Sequence, residues 1–392
     1  MTPSKPSLEL LRSLTDQHVI RALIAERRLT RAEISARTGI SKPTVGESVR
    51  RLTEARLLRD TGERTTGRGG VGSYYALAEG LGTALVVGIS PEGVVAEAVD
   101  VHGQVVAQQV EQLDRPARPA QVAHALRAAG GRAVGADSGP VRLSVVSAAD
   151  PVDRTSGRLV HLPDAPFLVG ELDPVAILAP LVAGPVTVDN DVNWAARAER
   201  AAAKPGALDN FAYLYLGEGL GCAVVADGEV RRGHAGLAGE IAHLLTRGPG
   251  DRAVPFTEVF AELRLRRPGS TAIDVPALLR AIEDAVTGDR REAVLAPLTE
   301  AIHGVVTALV ALADPQLVVL GGTWGTHPAV IDGVAERFSR APRRVSLRAA
   351  QITSQSPLAG ARHRAQHDLQ AAILSLPQVG TAAPLPRRNS SS

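Results

Sequence analysis

The run at 233–243, GHAGLAGEIAH, places Gly233, Gly236 and Gly239 three residues apart, with a carboxylate and an imidazole directly after them. Each glycine inside a helix costs about 1 kcal/mol against alanine, so the run reads as a tight loop ending where a helix starts. Glu240 and His243, at i and i+3, then share one face of that helix. A carboxylate accepts hydrogen bonds from two hydroxyls and an imidazole donates or accepts one. The pair above a glycine loop therefore suits a polyhydroxylated ligand. An ordinary surface helix with a Glu and a His meets the same spacing.

A second chemistry lies near the N-terminus. Residues 30–52, TRAEISARTGISKPTVGESVRRL, have the spacing of a helix-turn-helix. Thr30 with Glu33 forms a capping-box pattern, Ala36 supplies a small residue at the helix crossing, and Gly39 permits the turn. Ser41 is an N-cap with Pro43 tolerated in the first turn. Ile34, Ile40, Val45, Val49 and Leu52 form the expected small core. The start of the second helix, Ser41, Lys42, Pro43 and Thr44, then meets base edges and phosphates. Lys42 and Arg50 or Arg51 reach phosphate, and Thr44 a base or a thymine methyl. The Gly-, Thr- and Arg-rich stretch 61–73 before Tyr74 reads as a β-wing whose Arg64 and Arg68 suit a minor groove. Charge agrees with this: residues 1–80 hold 14 Lys/Arg against 9 Asp/Glu, whereas the remainder holds 29 against 32. A basic module on a slightly acidic body points to an anionic partner for that module alone. A helical domain that binds protein is the alternative.

The elements that must position these residues divide the chain of 392 residues into two or three domains. Residues 1–80 form the winged helix-turn-helix. From about 81 to 376 the pattern is α/β. Strands are expected at 84–89, 94–99, 105–110 and 141–146, with a helix at 117–129. A second set starts at 186–188 with a helix at 192–203, strands at 211–216 and 222–226, and a late buried strand at 317–320. Two such blocks predict a two-lobed body with a cleft between lobes. Lobe 1 covers about 81–187 plus the C-terminal helix, and lobe 2 about 188–357. Residues 377–392 are Pro- and Ser-rich and read as a disordered tail. Apolar runs fall short of the ~20 residues of a membrane span, and the N-terminal stretch lacks an apolar signal core. The single cysteine, Cys222, excludes an intrachain disulfide and a thiolate cluster. A cytoplasmic protein without membrane contact is the expectation.

Read together, the two halves resemble the ROK family (repressors, open reading frames, kinases) from about Leu10 to Leu374. The N-terminal part is similar to the winged helix-turn-helix of ROK regulators such as xylose and N-acetylglucosamine repressors. The body resembles the ROK sugar-kinase fold of the actin-like ATPase group. Four stretches carry the likeness: Asp189-Asn190-Asp191, Gly217-Glu218-Gly219-Leu220-Gly221, the glycine run with Glu240 and His243, and Asp314-Pro315 through Gly321-Gly322. The resemblance implies sugar contacts from Asn190, Asp191, Glu240 and His243. Glu258 matches a further sugar-binding glutamate, and Asp164 stands where the family usually has asparagine. In the family's kinases the aspartate matching Asp191 is the catalytic base.

Departures from the family pattern oppose a kinase. The first phosphate loop, Asp-x-Gly-x-Thr in the family, reads Ser90-Pro91-Glu92-Gly93 here. Pro91 removes an N–H donor, Glu92 adds negative charge, and the metal-anchoring aspartate is gone. Glu218 replaces a threonine of the second phosphate loop. The family's zinc site needs a histidine and three cysteines, and no cysteine follows His243. A further departure is Ser147-Ala148-Ala149-Asp150-Pro151-Val152-Asp153, where the family often has Gly-x-Pro-Gly-x-Val-Asp. The expectation is thus a transcriptional regulator, a repressor, with no catalytic residue, cofactor or metal. It binds a near-palindromic operator in double-stranded DNA as a homodimer or dimer of dimers, and a sugar or sugar derivative between the lobes. A sugar kinase with an attached DNA-binding domain is the alternative, and a regulator that has lost its sugar is a third.

Overall fold

Side-chain caps punctuate the N-terminal helices. The structure, a computed structural model, describes residues 8–65, 71–135, 139–162, 166–287 and 293–376. Arg68, Asp164 and the segment from 377 onward lie outside the described residues. After α1 (Leu8–Glu26) and β1 (Arg28–Thr30), Thr30 caps α2 (Arg31–Thr38) with the reciprocal Glu33 bonds of a capping box. Gly39, at φ 72°, ends α2. Ser41 caps α3 (Lys42–Glu54), which carries Pro43 in its first turn. Ile34, Val45, Val49 and Leu52 are buried with Val19, Ile20 and Leu23 of α1, while Ile40 packs at the edge. Ala36 is exposed rather than seated at the crossing. Two strands, β2 (Leu58–Arg64) and β3 (Ser73–Leu77), form the wing hairpin, and β1 adds the third strand in the order β1-β3-β2.

Lobe 1 comprises β4 (Thr83–Ser90), β5 (Gly93–Val99), β6 (Val105–Gln112), α4 (Pro119–Ala133), β7 (Val141–Ala148), α5 (Pro174–Leu178) and β8 (Val186–Asn190). Its sheet runs β6-β5-β4-β7-β8, antiparallel through the first three strands and parallel from β4 to β8. Thus β8 closes the first sheet rather than opening the second block, which begins only after α6 (Asp191–Ala202).

Lobe 2 repeats the topology. Its early strands are β9 (Phe211–Leu216), β10 (Leu220–Ala226) and β11 (Glu229–Val230), followed by the small hairpin β12 (Leu245–Arg247) and β13 (Ala253–Pro255). Then come α7 (Phe256–Glu262), α8 (Val275–Thr287), α9 (Leu295–Ala313), β14 (Leu317–Gly321), α10 (Pro328–Ser339) and β15 (Ser346–Ala349). The sheet order β11-β10-β9-β14-β15 matches that of lobe 1 strand for strand. Helix α9 is long and apolar enough to cross a membrane, but Leu298, Ala301, Ile302, Val305 and Val306 place its inner face in the lobe 2 core. The last helix, α11 (Ser356–Leu374), returns to lobe 1 and packs on β4, β7 and α6. Ala361, Ala365, Leu369 and Ile373 of α11 share one buried cluster with the β4 and β7 side chains and with the helix-turn-helix core. The DNA module is therefore docked on the body through the far end of α11.

Candidate ligand cleft and DNA-reading surface

No helix follows the glycine run. Gly233, Gly236 and Gly239 all take positive φ, at 76°, 95° and 99°, which glycine adopts without strain. The Gly239 carbonyl accepts from Cys222 N at 2.9 Å, anchoring the loop to β10. Backbone bonds from Phe256 N to Leu244 O and from Thr257 N to Ala242 O, each 2.9 Å, then draw the chain into the β12–β13 hairpin. Those carbonyls are spent on tertiary pairing, so Glu240 and His243 sit on a turn instead of one helix face.

Both side chains nevertheless line a cavity of about 650 Å³ between the lobes, together with Asn190, Asp191 and Asp150. Asn190 caps α6: its Oδ1 accepts from Val192 N at 2.9 Å, and its Nδ2 donates to the Asp150 carbonyl at 3.2 Å. Asp191 Oδ1 also accepts from Val192 N, at 2.7 Å. Beneath them the buried Asp189 takes Asn193 Nδ2 at 2.9 Å and Arg197 at 2.7 Å, fixing the β8–α6 junction. The side chains of Asn190 and Asp191 thus reach the cleft from a helix start held on several sides.

Acidic side chains cluster at this end of the cleft. Burial pushes Asp150 up to about 8, with the nearby Asp191 and Glu240 charges adding to the shift. Burial likewise raises Asp191 to about 7 against the lowering effect of the Val192 N–H, and raises Glu240 to about 7. Glu240 stays open to water at the cleft mouth while protein crowds its other sides. Glu258 is not part of this group. It lies on α7 and pairs with Arg266 at 3.2 Å, away from the cavity wall. Asp150, by contrast, belongs to the site. Its sequence signal was its place in the stretch 147–153, which departs from the family pattern.

The phosphate-loop positions hold an ion network. Glu218, on the turn between β9 and β10, accepts from Arg115 Nη1 at 2.5 Å and faces Arg267 Nε at 2.9 Å. Arg115 also donates to the Pro91 carbonyl at 3.1 Å and lies 3.5 Å from Glu92. Glu218 is therefore neutralised by two guanidiniums, not left as a bare anion. Neither arginine carried a sequence signal, because each meets Glu218 only through the tertiary fold.

On the DNA module, Ser41, Lys42, Pro43 and Thr44 are all exposed at the start of α3. Ser41 Oγ and Thr44 Oγ1 lie 2.8 Å apart. Arg50 is exposed and braced by Glu47 and Glu54 at 2.5 and 2.6 Å. Arg51 points the other way. It donates to the buried Asp16 at 2.7 Å, and Ser48 Oγ donates to the same oxygen. The structure gives Arg51 the task of tying α3 to α1, not of reaching phosphate. Arg64 pairs with Asp60 at 2.9 Å on the wing.

Residues 94–258 match the ROK family model, and residues 12–59 match the model for winged helix-turn-helix DNA-binding domains. Residues 94–258 thus carry a region similar to the ROK family, behind a winged helix-turn-helix region. Among curated relatives, a beta-glucoside kinase of Listeria monocytogenes is 32% identical over 161 residues, covering 38% of this chain and 53% of the kinase. An N-acetylmannosamine kinase of Vibrio cholerae is 26% identical over 163 residues, covering 40% of this chain and 55% of that one. The chain thus spans about half the length of these kinases. Among solved structures, a ROK family transcriptional regulator described as a homologue of the E. coli MLC protein shares the fold at TM-score 0.62 and 16% identity. That match covers 94% of this chain and 99% of the other. A ROK family glucokinase from Streptomyces griseus, solved with glucose and AMPPNP, gives TM-score 0.55 at 21% identity over 73% of this chain and all of its own.

The zinc site that the family resemblance implies does not fit the residues present. Cys222 lies buried on β10, the stretch after His243 has no cysteine, and no cluster of metal-ligating side chains occurs among the described residues.

Proposed function

We propose that this chain is a sequence-specific transcriptional regulator, a repressor, whose operator affinity is set by a sugar held between the lobes. The observation that carries this reading is the placement of α11. Its first residues, Ser356, Pro357 and Leu358, line the cavity, and its last turns pack with the helix-turn-helix core. A helix of this length spans about 28 Å, so one rigid element touches both the ligand site and the DNA module. A ligand that favours one lobe arrangement then shifts the pose of that module. Asn190, Asp191, Glu240 and His243 supply the hydroxyl partners, and Ser41, Lys42, Pro43, Thr44, Arg50 and Arg64 the DNA surface. A homodimer, or a dimer of such dimers, would present two recognition helices to a near-palindromic operator. Such a protein works in the cytoplasm, on double-stranded DNA.

The kinase alternative has one observation in its favour, the retention of Asp191 in the cleft. Against it, the phosphate-loop positions carry Pro91, Glu92 and an occupied Glu218 network, where phosphoryl transfer needs donors and a metal-holding carboxylate. The deciding experiment selects duplexes for the full-length protein from a random pool. It then measures binding with hexoses, pentoses, amino sugars and their phosphates, and assays ADP formation with ATP and Mg²⁺ in parallel. The expected result is a near-palindromic consensus, one sugar class that changes affinity at least tenfold, and no sugar-dependent ADP. Sugar-dependent ADP that Asp191→Ala abolishes would make the chain a kinase instead.

A further inference from the structure

Three carboxylates meet in the cleft, and the two arginines that share its lining, Arg115 and Arg267, pair with Glu218 instead. Asp150 leaves the end of β7, Asp191 starts α6, and Glu240 comes from the glycine loop of lobe 2. Each is close enough for its charge to act on another. Among the described residues none of the three has an arginine or lysine in ion-pair contact. The neighbouring guanidiniums are engaged elsewhere: Arg115 and Arg267 on Glu218, and Arg232 on Asp189. The decisive atom is Asp150 Oδ2. Asp150 is only 2% exposed, its Oδ2 has no hydrogen-bond partner, and the residue lines the cavity. An unpaired buried carboxylate oxygen is strongly unfavourable unless something fills its place. No group of three or more His, Cys, Asp or Glu among the described residues is arranged to hold a metal ion, which argues against a bare divalent cation as the partner.

Resting on the sugar reading above, we infer that the ligand of this cleft is a cationic sugar, an amino sugar with a free ammonium, and that Asp150 is the group that selects it. The hydroxyls of such a ligand are met by Asn190, Asp191 and Glu240, as a neutral sugar's would be. The ammonium adds a donor for Asp150 Oδ2 and a positive charge amid three carboxylates. An N-acetyl group at the same carbon removes the charge and adds bulk. A hydroxyl there keeps one donor without the charge. Desolvation raises all three carboxylates, and the Glu240 charge raises Asp150 and Asp191 further, so the group holds protons near neutrality. An arriving cation removes the reason for that, so the cleft and an ammonium stabilise each other's charged forms.

The test is calorimetric titration of the full-length protein with matched trios: glucosamine, N-acetylglucosamine and glucose, with the corresponding manno and galacto sets. In one trio the free amino sugar is expected to bind at least tenfold more tightly than both its acetylated and its hydroxyl counterpart. In Asp150→Asn, which keeps the shape and removes the charge, that preference should fall below threefold. Thermal melting of the variant confirms that it is folded, and Asp150→Gly serves as a second variant expected to lose the same preference. A parent hexose or N-acetyl sugar that binds as tightly as the amino sugar overturns the inference and leaves the sugar reading standing. So does a preference that survives both substitutions. If no sugar of any kind binds, the sugar reading falls and this inference falls with it.

Discussion

Arg51→Ala and Lys42→Ala are expected to fail in different ways, although the two residues are near neighbours on one basic helix. Arg51 lies 2.7 Å from Asp16, and the two side chains are only 25% and 10% exposed. Removing the guanidinium leaves Asp16 inside the α1–α3 contact with Ser48 as its remaining side-chain partner. Breaking a fully buried pair costs about 3–5 kcal/mol, and a hydrogen bond to a charged group contributes about 1.5–3 kcal/mol. The quarter of Arg51 that meets water places this case in the lower range, so Arg51→Ala should destabilise the DNA module by about 1.5–3 kcal/mol. Lys42 is exposed at the first turn of α3. Its removal should change stability by less than about 0.5 kcal/mol, while the slope of log affinity against log salt falls by about one unit. Urea denaturation followed by far-UV circular dichroism reads the first quantity. Binding to a selected operator at several salt concentrations reads the second. An Arg51→Ala protein of unchanged stability but flattened salt dependence would refute the assignment of Arg51 to the fold.

Glu240→Ala and Asp191→Ala should each weaken sugar binding by roughly ten- to a hundredfold, the worth of about 1–3 kcal/mol in lost and unpaired hydrogen bonds. Operator binding without sugar should be unchanged, and full sugar response in either variant would move the effector elsewhere. Gly239→Ala should abolish sugar response with DNA binding retained, because a Cβ at φ +99° would lie 1.8 Å from the Cys222 carbonyl oxygen; normal response would contradict the loop anchoring. The raised carboxylates also make stability depend on pH. With Asp150 at about 8 and Asp191 and Glu240 at about 7, against about 4 unfolded, the folded chain binds more protons between those values. Their contribution is complete below about pH 4 and is lost as pH rises toward 8. Urea midpoints at pH 5 and 8 should therefore differ less in Asp150→Asn than in the parent protein, and equal differences would count against the buried Asp150.

Local signals in the sequence were legible where local chemistry decides structure. The Thr30–Glu33 capping box, Gly39 and the Ser41 cap all govern backbone groups within a few residues, and each helix start followed. The alternating apolar strands of lobe 1 were legible for the same reason, since a strand's period is set by which face is buried. Reading failed where partners lie far apart in the chain. Val186–Asn190 looks like the opening of a new block until its pairing with β7 is known. Glu240-Ile241-Ala242-His243 has helical spacing, but the Ala242 and Leu244 carbonyls are claimed from across the loop by Thr257 and Phe256. Arg51 looks like a phosphate ligand until Asp16 of α1 is placed beside it. The stretch 147–153 was visible as a departure, but picking out Asp150 within it needed the burial of one unpaired oxygen.

The same long-range contacts bear on how a kinase-like cleft serves a regulator. A ligand shifts an equilibrium between two arrangements only by its difference in affinity for them. A useful coupling of 1–3 kcal/mol equals one or two hydrogen bonds made in one arrangement and not the other. The ligand groups are distributed suitably: Asp150 and Asn190 belong to lobe 1, and Glu240 and His243 to the lobe 2 loop. That loop is itself pinned to lobe 1, with Arg154 N donating to the Ala235 carbonyl at 3.1 Å and Arg154 Nη1 to the Gly233 carbonyl at 2.9 Å. The Arg115–Glu218 pair crosses the cleft at the phosphate-loop end. Polar contacts thus join lobe 1 and lobe 2 on either side of the cavity, and α6 packs on strands of both sheets. In a kinase the phosphate-loop end must stay open to nucleotide. Here Arg115 and Glu218 occupy it, so under the proposed function the energy of sugar binding would act on the lobe angle, and α11 would carry that angle to the helix-turn-helix module.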